Sequence, residues 1–303
     1  MPLAEHVPLG HRIGGLTVPT KPLIELTPDL STTQALDVIV RACGQQVLDR
    51  VDPVLTTRDA RSLHEMRVAL RRLRAAFSLL RRPLGDGEKL AWVSTETRDL
   101  AAPLGRARDI DVAVRDHLER LTGSPHRKLL ALREDAYDEV VDVVGSDRWR
   151  DLSTHMDRFL KRLHDEVPVD PPVTEAANEA LDRRFRRVTE RGARLGRSKP
   201  AERHRVRIDA KKLRYGSQFF AGLYAVPSGP DAPSTSAVVD FTRSVATLQD
   251  SLGELRDIQT TRHLLESVGA TVPDVDTKPL LDRAIASHAD IVSRGPFWTA
   301  PPR

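Results

Sequence analysis

Apolar residues recur at intervals of three or four along most of the chain, which is the spacing that places them on one face of an α-helix. Alternation of apolar and polar positions, which is typical of a half-buried strand, is almost absent. Proline and glycine clusters separate the periodic segments. The pattern therefore predicts an all-α protein, with helices over residues 31–51, 59–82, 88–104, 109–121, 126–144, 148–166, 174–195, 201–224, 236–268 and 280–294.

The proline-rich stretches also predict how the chain is divided. Residues 1–28 are rich in proline and glycine and are expected to form a flexible or extended leader. A Pro-rich linker over residues 167–173 separates a first helical unit, residues 29–166, from a second one, residues 174–295. Residues 296–303 remain as a tail.

Composition supports the helical prediction and excludes some protein classes. Aromatic residues make up only 4% of the 303 residues, so a core would consist mainly of Leu, Val and Ala, which suits helix packing. The single cysteine, Cys43, excludes an intrachain disulfide. No apolar run is long enough to cross a membrane, and the N-terminus lacks the features of a signal peptide, so a cytoplasmic protein is expected.

Two motifs each occur twice. The pattern H-x-x-R-(V/I)-x-(A/L)-(K/R)-(K/R)-L-R begins at His64 and again at His204, 140 residues later. The pattern L-x-x-x-L-G-x-x-R-D-I begins at Leu100 and again at Leu248. Two motifs in the same order and at similar spacing predict the duplication of a unit of about 140 residues.

The first motif predicts an amphipathic helix that carries a row of positive charge beside its apolar face. Such a row of like charges lowers helix stability, and a bound anion would offset that effect. Arginine forks bind phosphate oxygens in pairs, lysine supplies a point charge and histidine supplies a further donor. In a single helix, such a row could equally be a solvated basic face with no ligand. Its duplication favours anion binding. The predicted binding residues are His64, Arg67, Arg71 and Arg74 in the first copy, and His204, Arg207, Lys211 and Arg214 in the second.

Other basic residues are secondary candidates. Within the motifs, Arg72 and Lys212 project to another side of the helix. The helix before the second motif is crowded with arginines, whereas its counterpart before the first motif offers few, so the two halves are expected to bind unequally. These further candidates are Arg183, Arg187, Arg191 and Arg194 in the second half, and Arg41 and Arg50 in the first.

The second motif suggests structure more than ligand contact. Its glycines, Gly105 and Gly253, would allow a helix break or a close helix contact. Asp109 and Asp257 would cap the following helix or pair with an arginine. The neighbouring arginines are Arg108 and Arg256, which would serve either a structural role or ligand contact.

The paired motifs resemble those of the CHAD family, the conserved histidine α-helical domain, and the resemblance covers residues 32–294. It implies two antiparallel helical-bundle repeats, related by a pseudo-two-fold axis, that enclose a basic groove or pore. It also implies binding of inorganic polyphosphate by the motif residues, and association with polyphosphate granules. Many relatives carry a CYTH domain, but its E-x-E-x-K pattern is not present here, so polyphosphatase activity is not implied.

Two alternatives remain open. The same charge would suit nucleic acid, although Tyr215 is the only aromatic residue expected to be exposed on the two basic helices. A metal-dependent hydrolase of phosphoanhydrides would need carboxylates in the basic site, where Glu65 and Asp209 are the expected neighbours. His155, His164 and Asp165 only faintly resemble a metal phosphohydrolase site. We therefore expect a binding protein that is not an enzyme and needs no metal or cofactor, and we leave open whether it forms a homo-oligomer.

Overall fold

The computed structural model describes residues 24–85, 87–167, 169–224, 235–272 and 274–298. Most of the predicted leader, residues 1–23, and the end of the predicted tail, residues 299–303, lie outside these ranges. The predicted all-α fold is confirmed, since within the described ranges β-type pairing is limited to one isolated bridge between Ser31 and Pro172. The helices are α1 Thr32–Leu48, α2 Val51–Thr57, α3 Ala60–Leu80, α4 Gly87–Leu100, α5 Ala102–His117, α6 Gly123–Val144, α7 Asp147–Glu166, α8 Val173–Gly192, α9 Pro200–Tyr224, α10 Thr235–Ser267 and α11 Lys278–Arg294.

Side-chain caps fix where α1 and α3 begin. Ser31 Oγ accepts a hydrogen bond from the backbone N–H of Gln34, and the Gln34 side chain accepts one from the N–H of Ser31, which forms a capping box. The Asp59 carboxylate accepts a hydrogen bond of 2.7 Å from the N–H of Ser62. Each cap satisfies donors that have no acceptor within the helix, so both helices start where the sequence predicts.

Two predicted boundaries are wrong. Pro53 does not end the helical region but lies in the first turn of α2, where its missing N–H removes no hydrogen bond. The break between the third and fourth predicted helices falls at Ala101, because Pro103 occupies the first turn of α5. Asp109 and Asp257 therefore lie inside α5 and α10 and do not cap a helix.

The helices that carry the two repeated motifs pack against one another. In the first half α1 packs on α3 and α5 packs on α6; in the second half α8 packs on α9, and α10 packs on both α9 and α11. Between the halves, α3 contacts α9, and α5 contacts α10. The first motif lies on α3 and α9 and the second on α5 and α10, so all four copies meet where the halves join.

The apolar faces of α3 and α9 are buried as predicted. On α3 these residues are Leu63, Met66, Leu70, Leu73 and Phe77, and on α9 they are Val206, Ala210, Leu213 and Phe220. Burying each of the larger side chains stabilises the fold by roughly 1.5–3 kcal/mol. That burial fixes the rotation of both helices, and it holds the adjoining basic stripes away from the core.

The predicted linker is anchored to the start of α1. The backbone N–H of Thr32 donates to the carbonyl oxygen of Pro171 at 2.9 Å, and the N–H of Val173 donates to the carbonyl oxygen of Leu30 at 3.0 Å. The Thr33 hydroxyl donates to the Asp170 carboxylate. The halves are therefore tied together by hydrogen bonds as well as by helix packing.

The packed region extends beyond residues 29 and 295, where the predicted units end. Ile24 and Leu26 are buried, as are Phe297 and Trp298. The Trp298 indole N–H donates to Asp182 at 2.6 Å, which attaches the segment after α11 to α8. Across the described residues, every helix is too short or too polar to span a membrane.

Candidate functional site: a basic cavity between the repeated helices

A cavity of about 600 Å³ lies where α3, α5, α9 and α10 meet, with the end of α4 along one side. Six of the eight predicted binding residues line it: His64, Arg67, Arg71 and Arg74 from α3, and Arg207 and Lys211 from α9. Arg98 of α4 and Arg108 of α5 add two more cations to the wall. The structure thus brings basic residues from both halves to one cavity.

The crowding of positive charge is visible in the pKa of Lys211. Burial, as the largest cause, and the positive charges of Arg71, Arg207, Arg74 and Arg67 together lower this pKa to about 7. The pKa values of Arg67, Arg74 and Arg207 are also lowered, in each case mainly by burial. A bound anion would relieve this crowding of positive charge.

Carboxylates offset part of this charge. Asp109, Asp250, Glu254 and Asp257 line the cavity, and a carboxylate oxygen of Asp109 lies 3.8 Å from Arg67 Nη2. Burial raises the pKa of Asp109, Arg67 lowers it and the negative charge of Asp257 raises it again. The sequence had indicated ligand contact least for this motif, yet Gly105, Arg108, Asp109, Gly253 and Asp257 all line the cavity.

The acids that the sequence placed near the site lie elsewhere. Glu65 pairs with Arg50 at 2.6 Å. Asp209 is buried between Arg184, at 3.4 Å, and Arg191, at 2.5 Å. Within the ranges that the structure describes, no group of three or more His, Cys, Asp or Glu residues could hold a metal ion.

His204 lines an adjoining pocket of about 530 Å³, which shares Arg207 with the cavity. Burial lowers the pKa of His204, and the charges of Arg207 and Arg256 lower it further. Arg256 lines the same pocket, together with Arg203. The two motif histidines therefore face neighbouring and connected spaces.

Arg214 is the predicted binding residue that lines neither space. It donates to Asp250 at 2.9 Å and lies 3.4 Å from the side-chain oxygen of Gln249. Because Asp250 and Gln249 both line the cavity, Arg214 acts on the cavity through them. This contact partly neutralises Asp250.

The secondary candidates within the motifs point away from the cavity. Arg72 is buried, and its guanidinium carbon lies 5.5 Å from the centre of the Phe219 ring, a cation–π contact. Lys212 does not line the cavity, and burial, with Arg184 as the largest neighbouring positive charge, lowers its pKa to about 8. Their projection to another side of the helix is as predicted.

Most arginines of the flanking helices are placed elsewhere. Arg41 pairs with Asp37, Arg50 with Glu65 and Arg191 with Asp209, and Arg194 is exposed beyond the end of α8. Arg183 donates to Glu179 and to the carbonyl oxygen of Leu79. Arg183 and Arg187 both line a separate pocket. The structure therefore does not bring these six to the cavity.

Sequence reasoning missed Arg98, Arg203 and Arg205. Arg98 lies on α4, two residues before the second motif, and Ala246 stands at the matching place in the second half, so duplication gives no signal for it. Arg203 and Arg205 flank His204, in a segment where the first copy has neutral or acidic residues. Only the packing of the helices reveals these three cations.

The sequence matches a known family, and the fold matches solved structures. The chain resembles the crystal structure of the CHAD domain from the plant Ricinus communis, with a TM-score of 0.71, 20% identity, and coverage of 93% of this chain and 92% of that chain. It also resembles PptA from Streptomyces chartreusis, with a TM-score of 0.54, 16% identity, and coverage of 88% and 95%. No curated protein matches the sequence. The CHAD domain family model matches residues 38–266, and the chain belongs to the CHAD domain family.

Proposed function

We propose that this protein binds inorganic polyphosphate in the basic cavity. The observation that carries the proposal is the convergence of Arg67 and Arg71 on α3 with Arg207 and Lys211 on α9 in one cavity. Lys211, with its pKa lowered to about 7 by burial and by neighbouring arginines, is a group whose charged form a bound anion would stabilise.

A chain of phosphates fits this arrangement better than a single small anion. The residues from His64 to Arg74 extend over about 15 Å of helix axis at 1.5 Å per residue. Arg207 continues the basic surface into the pocket that contains His204 and Arg256. Guanidinium groups repeated along such a path match the repeated oxygens of a linear polyanion.

The lining argues against nucleic acid as the preferred ligand. Proteins that bind single strands stack bases on aromatic side chains, but the described lining of the cavity includes no aromatic residue. Tyr215, which was expected to be exposed, is buried against Phe219. A lining that offers cations for phosphates but no aromatic rings for bases favours a polyanion that has no bases.

We propose binding without turnover. Asp109 is the carboxylate nearest to Arg67, and it is embedded among cations, which is a poor setting for a general base or a metal ligand. A non-enzymatic binder of polyphosphate would act where that polymer accumulates, and we therefore also propose association with polyphosphate granules in the cytoplasm.

The test is direct binding of long-chain polyphosphate to the purified protein. We expect tight binding at low salt that weakens steeply as salt rises, because counterions are released. Arg71→Gln with Arg207→Gln should reduce the affinity by on the order of a hundredfold, for two charged hydrogen bonds. The matched control, Arg41→Gln with Arg194→Gln, removes the same charge outside the cavity and should change the affinity little.

Two results would contradict the proposal. One is an equal loss of affinity in the cavity variant and in the control, which would indicate a diffuse charge effect. The other is displacement of bound polyphosphate by duplex DNA at an equal concentration of phosphate, which would identify nucleic acid as the preferred ligand.

A further inference from the structure

A second arginine-rich pocket lies at the C-terminal end of α3. It has a volume of about 650 Å³, and five arginines line it: Arg81, Arg82, Arg183, Arg184 and Arg187. Neither copy of the motifs includes any of them. Among the residues described as lining this pocket there is no carboxylate, so its wall is more uniformly positive than that of the cavity.

The floor of this arginine pocket is fixed by hydrogen bonds between α8 and α3. Arg184 Nη2 donates to Ser78 Oγ at 3.0 Å, and Arg183 Nη2 donates to the carbonyl oxygen of Leu79 at 3.0 Å. Arg82 lies 3.2 Å from Glu179. Arg82 is nevertheless exposed, as are Arg81 and Arg187. The pocket thus combines arginines that are fixed by hydrogen bonds to α3 with exposed arginines that can contact a ligand.

The arginine pocket and the cavity share two walls. On α3, Ser78 of the pocket follows Arg74 of the cavity by one turn. On α4, Thr95 of the pocket precedes Arg98 of the cavity by about one turn. The two spaces therefore lie end to end along the groove between α3 and α4.

The α8 arginines of this pocket have no match in the first half of the chain. Arg183 and Arg187 belong to α8, and the residues 140 positions earlier, Cys43 and Val47, are buried apolar residues of α1. The basic surface continues from the cavity into the pocket around His204 at the start of α9, and into the arginine pocket at the end of α3. A polyanion that leaves the cavity toward the end of α3 would thus meet continuous positive charge.

We propose that the arginine pocket extends the polyphosphate-binding surface, with Arg81 and Arg187 binding phosphate units beyond those held in the cavity. This inference rests on the proposed function and adds a length dependence to it. From His64 to Arg81 the basic surface spans about 25 Å along α3, against about 15 Å for the cavity stripe alone. Short chains would occupy the cavity, and only longer ones would reach both.

The experiment compares tripolyphosphate with long-chain polyphosphate on three proteins: the wild type, Arg81→Gln with Arg187→Gln, and a control, Arg120→Gln with Arg186→Gln. The control removes two exposed arginines, one of them adjacent to Arg187 on α8 but outside the pocket lining. We expect the pocket variant to bind the long chain about tenfold more weakly and tripolyphosphate unchanged. The slope of the logarithm of the affinity against the logarithm of the salt concentration should become less steep by about 0.7 for each lost phosphate contact. The control should match the wild type with both ligands.

Unchanged long-chain affinity in the pocket variant would overturn the extension, and would leave binding in the cavity intact. An equal loss with both ligands, or an equal loss in the control, would also overturn it, because the effect would then be general electrostatics. If the wild type bound neither ligand, the proposed function itself would fail, and that outcome is distinct from the others.

Discussion

The guanidinium group of Arg67 lies against Gly105, so closely that a Cβ atom added to that glycine would stand 2.9 Å from Arg67 Nη1. Gly105 lies in the repeated second motif, on α5, and Arg67 lies in the first, on α3. The pairing explains why a glycine is suited to the interior of a helix here: it leaves space for the arginine beside the cavity.

We predict that Gly105→Ala weakens polyphosphate binding without unfolding the protein. The added methyl group would displace the flexible end of Arg67, so we expect roughly a fivefold loss of affinity for a displaced charged contact. Stability should stay level or rise, because alanine is favoured over glycine inside a helix by about 0.5–1 kcal/mol. Calorimetric titration and thermal unfolding would measure the two effects.

Gly44→Ala on α1 is the matched control. A Cβ at Gly44 meets no atom within 4 Å, so this change should give the same gain in stability with unaltered binding. Equal affinities for the two variants would show that the position of Arg67 beside Gly105 does not matter for binding.

The fold and the motif residues that line the cavity could be predicted from the sequence because both depend on repeated local patterns. Leu63, Met66 and Leu70 fix the rotation of α3 by their spacing, and that rotation directs Arg67 and Arg71 away from the core. The second copy, on α9, follows the same rule for Arg207 and Lys211. Periodicity determines which face is buried, and the duplication marks which face lines the cavity.

The rest of the cavity could not be predicted, because it depends on contacts between helices distant in the sequence. Asp109 was predicted to cap a helix or to pair with an arginine; it pairs with Arg67, and the cap was a false alternative because nothing local shows that α5 already begins at Ala102. Arg98 has no repeated counterpart, and the partners that remove Arg50 and Arg191 from the site are visible only in three dimensions.

We predict that Asp109→Asn tightens polyphosphate binding. Asp109 lies 3.8 Å from Arg67 Nη2 and repels an incoming anion, and burial already raises the pKa of its carboxyl group. Removing one negative charge from the cavity should increase the affinity by about fivefold at low salt, with a smaller gain at high salt. The same titration with Asp116→Asn, on the same helix but outside the cavity lining, serves as a control. A weaker complex for Asp109→Asn would show that the carboxylate positions Arg67 and does not compete with the ligand.

Affinity should depend on pH through Lys211. Its pKa of about 7 in the free protein should rise in the complex, because the polyanion favours the charged amine. Binding then takes up a proton: the affinity is highest below pH 7 and falls above it, by up to about tenfold per pH unit until the pKa of the complex is reached. Calorimetry in buffers with different ionisation enthalpies would measure this proton uptake.

Lys211→Arg should retain binding and remove most of this decline, since arginine stays charged throughout the range. An affinity that is constant from pH 6 to pH 8 in the wild type would contradict the prediction.

Removing the charge of Lys211 should stabilise the unliganded protein. Burial and four neighbouring arginines lower the pKa of Lys211, so its charged form disfavours folding near neutral pH. We expect Lys211→Met to raise the free energy of unfolding by on the order of 1 kcal/mol and to weaken binding. Chemical denaturation without ligand would measure the gain, and a loss of stability would show that the lysine is favourably paired in the free protein.

The account depends on α3 and α9 forming one binding site, and the binding isotherms of Arg71→Gln and Lys211→Gln test this most directly. If the two helices share one site, each substitution should weaken the whole isotherm of long-chain polyphosphate, and neither should leave a class of sites with wild-type affinity. If either variant instead retains wild-type affinity at about half of the original amplitude, the helices bind independently and the shared cavity is not the binding site.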